Sequence, residues 1–565
     1  MKITFLGHAG MFIETQYGSI LCDPWFNPAY FASWFPFPSN EEIDISTTAH
    51  PTYLYISHLH QDHFDAAFLR EHVSKDAIVL LPDYPLNLLE RALRECGFTH
   101  FIATKNGEAL ALNGLTVSII SLVAPTDGPI GDSGLTVDDG VTRIFDQNDS
   151  RPVDIERITA YGPFDAHFVQ FSGALWYPMT YQYPPEMQLV LGAKKRENEM
   201  ARALQYIQHI GASAVFPSAG PACFLDDELF QFNDFDRSKT NTFPDQSVFV
   251  EYMQAHGLNN GEILLPGSVL SIEHDKYSVF TPQNMLKQEV FTQKRAYLEG
   301  YKTRMQARID AEKQSWPVGQ VDILSSLIDW FDPLLQQANL LSAGVNGRVL
   351  LDCEKHKILL DFHQRRVSEW QQQECDFVFQ IAPALVEYCI LHRIEDWVNH
   401  VFLSCRFKAQ RKGAYNEYVY TFFKSLSPER IQYVERYYAE KSLAKQIMWE
   451  SQGHRMQRYC PHMKGDLSRF GIIEGNVLTC TLHGWQFDLT TGRCLTSENY
   501  YLSIQSPAAN EDTQTQDDAI TNTCHHCWHR TLKSDILKSD TLKSETVPDS
   551  VTPPDNAILP LASTD

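Results

Sequence analysis

The chain has 565 residues, of which 43% are hydrophobic, and a formal net charge of −23. This length accommodates about three or four domains, and the acidic balance argues against nucleic acid or an anionic membrane as the main partner. No apolar run reaches the roughly 18 residues of a membrane span. The start lacks the features of a signal peptide and the 12 cysteines are scattered, so we expect a cytoplasmic protein without disulfides.

Short strand-like runs open the chain. They occupy residues 2–6, 11–15 and 19–25, and the third ends in Asp-Pro-Trp. A hairpin pattern of this kind resembles the opening of a metallo-β-lactamase fold. The resemblance implies an α/β first domain with αββα layers.

A buried strand is predicted at residues 53–57, and it leads directly into a cluster of three histidines and one aspartate. A strand end can bring several short side chains around one point, and imidazole together with carboxylate suits zinc or iron. Three histidines in six residues are too many for an ordinary core. The predicted metal ligands here are His58, His60, Asp62 and His63.

Two further carboxylates are candidates for the same site. Asp149 ends a later hairpin and has the position of a bridging carboxylate, whereas Asp127 stands where hydrolases of this fold carry a further histidine. With His58 and His60, Asp127 would form a two-histidine, one-carboxylate set that suits non-haem iron(II). Asp127 is alternatively a turn residue before a glycine, and both interpretations stay open.

The set of imidazoles is smaller than a dizinc hydrolase requires. Residues 215–220 occupy the region of the last histidine of such enzymes and contain none. His8 follows the first strand and either points into the metal site or is structural. Residues 194–197 are predicted to open a helix, and their basic side chains form either a solvated helix start, which we favour, or an anion site.

The region from residue 290 to 445 carries no residues with catalytic spacing. A helix over 290–313 is followed by a hairpin, a strand and a helix over 382–391, an order that resembles a sterol-carrier-type α+β module. We favour a scaffold or a dimerisation surface over lipid binding. The basic stretch 408–412 either docks an acidic electron donor or is an exposed helix or loop.

The region near residue 460 contains two Cys-His pairs. Cys460 and His462 form a C-x-H pair, and Cys480 and His483 form a C-x-x-H pair. Two thiolates can hold one iron of a [2Fe–2S] cluster while two imidazoles hold the other. The spacing resembles a Rieske module of the oxygenase and ferredoxin type, since neither loop carries an extra cysteine. The alternative is a zinc site with two cysteines and two histidines.

The amino-acid composition changes after residue 505. It becomes rich in Asp, Thr, Ser and Pro, and a five-residue repeat runs over 531–545. Such a segment cannot bury itself, so we predict disorder. The cluster 524–529 contains cysteines and histidines but does not by itself support a defined zinc site.

Several segments of the first half together resemble the metal-binding domain of CMP-N-acetylneuraminate hydroxylase. They are Asp127-Gly128, 148–152, 171–180 and 216–220, in order after 58–63. That family pairs a Rieske cluster with a metallo-β-lactamase fold. It is a monooxygenase that takes electrons from cytochrome b5 and a reductase. The resemblance covers about 1–275 and 445–505, in the reverse order, and it implies the reaction type more strongly than the substrate.

The sequence therefore predicts four regions. They are a metallo-β-lactamase-like metal-binding domain over 1–289, a helical linker and α+β scaffold domain over 290–445, a small all-β Rieske [2Fe–2S] domain over 446–505 and a disordered tail over 506–565. The predicted activity is a Rieske-type monooxygenase with a mononuclear iron(II), zinc being the alternative metal.

The residues expected to act in that reaction are Asp62, Asp127 and Asp149. The resemblance implies a small-molecule substrate that bears an amide or is a nucleotide-linked sugar. A ferredoxin, a flavodoxin or a cytochrome b5-like protein with its reductase would be the external electron donor. A homo-oligomer is compatible with this scheme. The rival is a metal-dependent hydrolase of an ester, lactone or phosphodiester with a regulatory cluster, since metal-bound water is the usual nucleophile on this scaffold.

Overall fold

The computed structural model describes residues 1–122, 130–173, 176–237, 239–273, 276–282, 287–441, 447–482, 484–497 and 500–505. Two β-sheets form a sandwich in the first half. The first sheet has eight strands in the order β14-β13-β1-β2-β3-β4-β5-β6. These strands are β1 (Lys2–Gly7), β2 (Gly10–Thr15), β3 (Gly18–Cys22), β4 (Tyr53–Tyr55), β5 (Ile78–Leu81), β6 (Phe101–Ala103), β13 (Val269–Glu273) and β14 (Lys276–Phe280).

The second sheet of the sandwich has six strands in the order β12-β11-β10-β9-β8-β7. These strands are β7 (Leu110–Leu112), β8 (Leu115–Leu122), β9 (Asp132–Asp138), β10 (Arg143–Asn148), β11 (Ala166–Gln170) and β12 (Ala214–Ser218). Apolar residues on the inner faces, such as Ile13, Val117 and Phe168, pack into one buried layer between the two sheets. Burial of this alternating apolar surface is the main stabilising contribution to the sandwich.

Helices cover both outer faces of the sandwich. The helices of this half are α1 (Ala66–His72), α2 (Leu88–Glu95), α3 (Ile155–Thr159), α4 (Pro185–Ile210) and α5 (Gln246–Ala255). Phe68 of α1 and Leu89 of α2 pack under the first sheet, while Met200 of α4 and Phe249 of α5 pack under the second. The αββα layers predicted from the sequence are therefore confirmed.

The long helix α4 differs from the prediction. It begins at Pro185, nine residues before the expected start at 194, because proline is well suited to the first turn of a helix. Lys195 and Arg196 consequently lie in its interior and are buried, and Arg196 forms an ion pair with Asp234. The prediction of a solvated basic helix start at this position is wrong, and the charge of Arg196 is neutralised by the protein itself.

The middle region contains a five-stranded sheet in the order β17-β16-β15-β18-β19. Its strands are β15 (Arg348–Cys353), β16 (His356–Asp361), β17 (Arg366–Glu369), β18 (Phe377–Ile381) and β19 (Phe407–Arg411). The helices here are α6 (Lys287–Thr292), α7 (Lys294–Ser315), α8 (Ile323–Gln337), α9 (Asn339–Val345), α10 (Pro383–Leu391), α11 (Glu417–Phe423) and α12 (Pro428–Lys441). The region is an α+β module, as predicted.

Two details of the middle region were not expected. Helix α7 packs through Leu298 and Tyr301 against Phe35 of the sandwich. The basic stretch 408–412 is largely the edge strand β19 rather than a helix or loop, and the Arg411 guanidinium lies 5.2 Å from the ring centroid of Tyr177 of the sandwich region. The middle module and the sandwich therefore share contacts at both places.

The last described region contains two three-stranded sheets, β20-β21-β25 and β22-β23-β24. Their elements are β20 (Met448–Ser451), β21 (His454–Gln457), α13 (Leu467–Phe470), β22 (Gly471–Glu474), β23 (Val477–Cys480), β24 (Trp485–Asp488) and β25 (Ile504–Gln505). Strands β23 and β24 lie on either side of the second Cys-His pair. The predicted disordered tail and the cluster 524–529 lie outside the described residues, and no helix within the described ranges is long and apolar enough to span a membrane.

Candidate metal and cluster sites

The loops that carry the metal-ligand candidates meet at one edge of the sandwich. Strands β1 and β3 run in the same direction because each is antiparallel to β2, and β4 is parallel to β3. His8 follows β1, Asp23 follows β3, and the motif at 58–63 follows β4. In the second sheet Asp149 follows β10. The strand directions therefore bring side chains that are distant in sequence to a common point.

One group of ligand atoms comes from His58, His60 and Asp149. The Nε2 atom of His58 lies 2.6 Å from Nδ1 of His60 and 3.8 Å from Oδ2 of Asp149. His58 is fully buried, whereas His60 and Asp149 are half-buried. Three donor atoms that converge at these distances can hold one metal ion.

A second group comes from His8, Asp62 and His63, all of them buried. The Nε2 atom of His8 lies 2.9 Å from Oδ2 of Asp62, and Nε2 of His63 lies 3.8 Å from the same oxygen. Nε2 of His63 also lies 3.5 Å from Oδ2 of Asp149. Asp149 therefore stands between the two groups, and the interpretation of His8 as pointing into the site agrees with its contact with Asp62.

Neighbouring polar residues orient these side chains. Asp23 accepts hydrogen bonds from the amide and the hydroxyl of Ser57 at 2.7 and 2.6 Å, and its Oδ2 lies 2.8 Å from Nδ1 of His63. The Tyr30 hydroxyl donates to Oδ1 of Asp62 at 2.7 Å. Because Nδ1 of His63 is engaged in this way, its Nε2 is left to face Asp62 and Asp149, which is how outer partners usually orient a ligating imidazole.

Strained backbone occurs in three of these loops. His8, Asp23 and Asn148 have positive φ angles of 53°, 39° and 43°. This left-handed region is uncommon for residues other than glycine, although Asn, Asp and His tolerate it best. Such strain often accompanies functional sites. Here it turns the chain sharply at the strand ends, so that the side chains point into one site.

The electrostatics of the site reflect burial and the neighbouring charges. Burial lowers the pKa of His58, and the neighbouring imidazoles lower it further; burial also lowers the pKa of His60. Burial acts against protonation of His63 too, but Asp149 and two further carboxylates outweigh it and raise its pKa. Burial likewise opposes ionisation of Asp62, but the surrounding histidines outweigh it and lower its pKa. Neutral His58 and His60 beside an ionised Asp62 are in the protonation states that metal ligands require.

The residues present fit a pair of metal ions. Nε2 of His60, Nε2 of His63 and Oδ1 of Asp149 are buried and have no hydrogen-bond partner among the described residues. Buried polar atoms without partners are costly, and these three belong to the two groups that converge on Asp149. A cation held by His63 and Asp149 would satisfy two of these atoms, whereas the nitrogen of His60 that converges with His58 is Nδ1. Asp127, the other candidate carboxylate, lies outside the described residues.

The Cys-His pairs lie on two neighbouring loops of the last region. Cys460, His462 and Cys480 are each at most 1% exposed, and neither cysteine forms a disulfide with another described residue. A Cβ at Gly465 would lie 2.6 Å from the Cδ1 atom of Leu482, so the two loops pack closely at this point. The donor set and the packed loops fit a [2Fe–2S] cluster. His483, the fourth predicted ligand, lies outside the described residues.

His462 is held by two neighbours. Its ring stacks on Trp485 with centroids 3.9 Å apart, and its Nε2 lies 3.2 Å from Oε2 of Glu417. Glu417 also accepts hydrogen bonds from Tyr438 and Tyr500. The described carboxylate that contacts His462 therefore belongs to the middle module.

The sandwich and the middle module also meet beside the metal motif. Nε2 of Gln61 lies 2.6 Å from Nδ1 of His400. Oε1 of Gln61 accepts a hydrogen bond from the backbone amide of Tyr30, so the NH₂ group of Gln61 is the donor to Nδ1 of His400. Nδ1 of His400 therefore carries no proton, and the ring proton is on Nε2. A cleft of about 1060 Å³ opens here, and residues from both modules line it, including Leu59, Gln61 and His400.

Sequence reasoning missed several of these residues. Asp23 was noted only as part of a strand end, and Glu417 and His400 had no motif to mark them. Asp23 could have been found, since an aspartate after a strand beside a metal motif is a common outer partner of histidine. Glu417 and His400 enter their sites through tertiary contacts between modules, for which the local sequence carries no signal.

Comparison with known families supports the organisation described above. Residues 323–440 match a family described as an Rv3818-like, SCP2-like domain, and residues 424–501 match the Rieske [2Fe-2S] domain. The chain is 46% identical over 517 residues to a Rieske 2Fe-2S iron-sulfur protein, Rv3818, of Mycobacterium tuberculosis strain ATCC 25618 / H37Rv. The alignment covers 90% of this chain and 100% of that protein.

Solved structures are similar to about half of the chain. CmlA, a diiron β-hydroxylase from Streptomyces venezuelae, is 19% identical with a TM-score of 0.33, over 48% of this chain and 54% of CmlA. The metallo-β-lactamase fold protein YhfI from Bacillus subtilis is 13% identical with a TM-score of 0.31, over 48% of this chain and 99% of YhfI. The chain joins an αββα sandwich to an SCP2-like module and a Rieske domain. By its similarity along nearly the whole length, it belongs to the family of Rieske 2Fe-2S iron-sulfur proteins that includes Rv3818 of Mycobacterium tuberculosis.

Proposed function

We propose that this protein is a Rieske-type oxygenase whose active site contains two metal ions. His58 and His60 would hold one ion, His8, Asp62 and His63 would hold the other, and Asp149 would bridge them. The observation that carries this proposal is the position of Asp149, whose Oδ2 lies within 3.8 Å of imidazole nitrogens from both groups. This arrangement supports two metals rather than the single iron expected from the sequence.

The cofactors would divide the chemistry between them. A bound cluster would supply single electrons, and a metal pair rich in imidazole and carboxylate would supply oxygen activation for hydroxylation of a C–H bond. Cys460, His462 and Cys480, together with His483, would hold the cluster. An external one-electron donor, such as a ferredoxin, a flavodoxin or a cytochrome b5-like protein with its reductase, would refill it.

The protein's own side chains bind and orient. Asp23 and Ser57 fix the imidazole of His63, and Tyr30 fixes Asp62. The substrate would enter the cleft between the modules. There Gln61 donates to Nδ1 of His400 and keeps the ring proton of His400 on Nε2. The lining residues of both charge signs are compatible with a polar small molecule, including the amide-bearing or nucleotide-linked sugar implied by the sequence resemblance.

The deciding measurement is the metal content of the full chain purified without oxygen. About four irons per chain, two in the cluster and two in the metal site, are expected for the oxygenase, together with oxygen consumption that depends on a reductant. Asp149→Asn should lower iron in the metal site, since a bridging anion is lost, while the cluster absorbance stays. Iron restricted to the cluster and no reductant-dependent oxygen consumption would contradict the proposal.

A metal-dependent hydrolase is the second candidate. The same bridging position of Asp149 favours it, because two metals that share a carboxylate also activate water in hydrolases. About two irons with one or two zincs per chain, and hydrolysis of ester or phosphodiester probes without a reductant, would support this alternative. The cluster would then be regulatory.

A further inference from the structure

The helix α4 lies between the cluster loop and the loop of Asp149. At one end of the contact, Nη1 of Arg202 donates to the backbone oxygen of Leu482 at 3.3 Å, in a buried position. Leu482 is two residues after Cys480 in the second cluster loop. A guanidinium on the sandwich therefore touches the backbone of the loop that would hold the cluster.

From Arg202, further ion pairs lead to the loop that carries Asp149. Arg202 forms a buried ion pair with Glu199, and Oε2 of Glu199 lies 3.8 Å from Nη2 of Arg151. Arg151 is two residues after the bridging candidate Asp149. The chain of contacts thus runs from Leu482 through three charged side chains to the Asp149 loop, and each of its side chains is at most 11% exposed.

Independent contacts fix the same surface. Met463, which follows His462, packs with Leu122 at the end of β8 and with Val153. Thr481 donates to Gln205 of α4. Both cluster loops therefore rest on the metal-binding sandwich of the same chain.

We propose that electrons pass from the cluster to the metal site within one chain, and that Arg202 is a positioning residue that holds the cluster loop against the Asp149 loop. This inference rests on the proposed function for its two redox partners. Each transfer oxidises the reduced cluster by one electron and reduces the metal site by one electron. The external donor of the proposed function, a one-electron iron–sulfur, flavin or haem protein, then reduces the cluster again.

The first test measures proximity without turnover. The full chain carries a reduced cluster and Co²⁺ in the metal site. It is mixed with an excess of the double variant Cys480→Ala, His58→Ala, which binds neither group, so that any oligomer contains one loaded chain beside empty ones. We expect Co²⁺ to accelerate the relaxation of the EPR signal of the cluster equally before and after this dilution, because both sites lie on the same chain. Loss of the effect on dilution would show that the partner site lies on another subunit, and an absent effect would show that the sites are far apart; either result overturns the inference.

The second test addresses Arg202. Arg202→Lys keeps the charge opposite Glu199 but removes the forked donor to Leu482, and Arg202→Met removes both. Because a small misplacement can strongly slow a reaction step, we expect reoxidation of the reduced cluster by the iron-loaded protein under oxygen to slow at least about tenfold in Arg202→Met, with Arg202→Lys between it and wild type. The cluster spectrum and midpoint potential should stay unchanged.

Arg469→Met is the matched control. Arg469 also forms an ion pair across the module boundary, with Glu156, but on the exposed surface, where such pairs contribute little. If the cluster is reoxidised as fast in the Arg202 variants as in Arg469→Met, the positioning role is refuted. Should Arg202→Met not fold, the comparison is made with Arg202→Lys alone. A wild-type protein that shows the cobalt effect but consumes no oxygen would refute the proposed function while this inference stands.

Discussion

At the scale of single residues, the buried histidines fall into ligand candidates and a core residue. Those of the motif at 58–63 face carboxylates and one another, whereas His167 lies on β11 in the core of the sandwich. Its ring packs against Phe145, and its Nε2 lies 2.9 Å from Oε1 of Gln147. One of its ring nitrogens is thus paired with an amide, and His167 belongs to neither group of ligand atoms found in the described ranges.

His167 should make the protein sensitive to acid. Burial lowers its pKa to about 3, while an unfolded histidine has a pKa of about 6.5. The unfolded state therefore binds more protons between about pH 6.5 and 3, and the stability contributed at higher pH is lost as the pH falls through that window, by up to about 1.4 kcal/mol per unit. His167→Gln should show a shallower fall of the thermal midpoint between pH 7 and 5.

The exposed His50→Gln serves as its control. His50 is exposed in the fold, so its surroundings change little on unfolding, and this variant should follow the wild-type pH dependence. A pH dependence in His167→Gln as steep as in wild type would assign the acid sensitivity to other groups.

At the scale of elements, helix α11 connects the middle module to the cluster. Glu417 at its first position is 2% exposed and touches His462. Trp485 and Tyr500 surround the same imidazole. A buried carboxylate close to a cluster disfavours the added negative charge of the reduced state, because Coulomb interactions are strong in a poorly solvated interior.

Glu417→Gln should therefore raise the midpoint potential of the cluster. The substitution keeps the shape of the side chain and removes its charge, and we expect a rise on the order of tens of millivolts, where about 59 mV is a tenfold change for one electron. Redox titration of the visible spectrum measures this shift. Glu429→Gln, an exposed carboxylate of the same module that pairs with Arg91, should leave the potential unchanged; an equal shift in both variants, or no shift in either, would contradict a specific role of Glu417.

At the scale of the whole molecule, one hydrophobic cluster runs through all three modules. It includes Phe145 and Phe164 of the sandwich, Phe379 of the middle sheet, and Leu467 and Phe487 of the Rieske region. Apolar burial is the dominant stabilising term of folding, so modules that share a core stabilise one another. The interfaces are therefore part of the fold rather than loose contacts.

This shared core should make unfolding cooperative. When the full chain is heated, the visible absorbance of the cluster and the far-ultraviolet circular dichroism should change within a few degrees of each other, because loss of the Rieske packing exposes the core of its neighbours. Replacement of Phe470, which contacts Tyr206 of α4, by alanine should lower both midpoints together. Loss of the cluster signal far below the main transition would show that the Rieske region unfolds by itself.

The sequence alone determined the elements whose signal is local. The motif at 58–63 and the Cys-His pairs are short and dense in ligand side chains, and the strands beside them follow from apolar runs and turns. The family resemblances that these features carry implied the αββα layers and the Rieske domain. The prediction that α4 begins at 194 failed because the helix starts at Pro185. Leu189 and Val190 in its first turns are exposed, so this stretch lacks the single buried apolar face on which the prediction depended.

Only the tertiary structure decided which distant residues meet. The order of the strands brings His8 to Asp62 and places Asp149 between the two ligand groups. The packing of modules places Glu417 beside His462 and buries Arg202 under the cluster loop. The physical reason is that short-range periodicity is set by neighbours along the chain, whereas contacts over hundreds of residues depend on which faces are buried together, and no local pattern specifies that pairing.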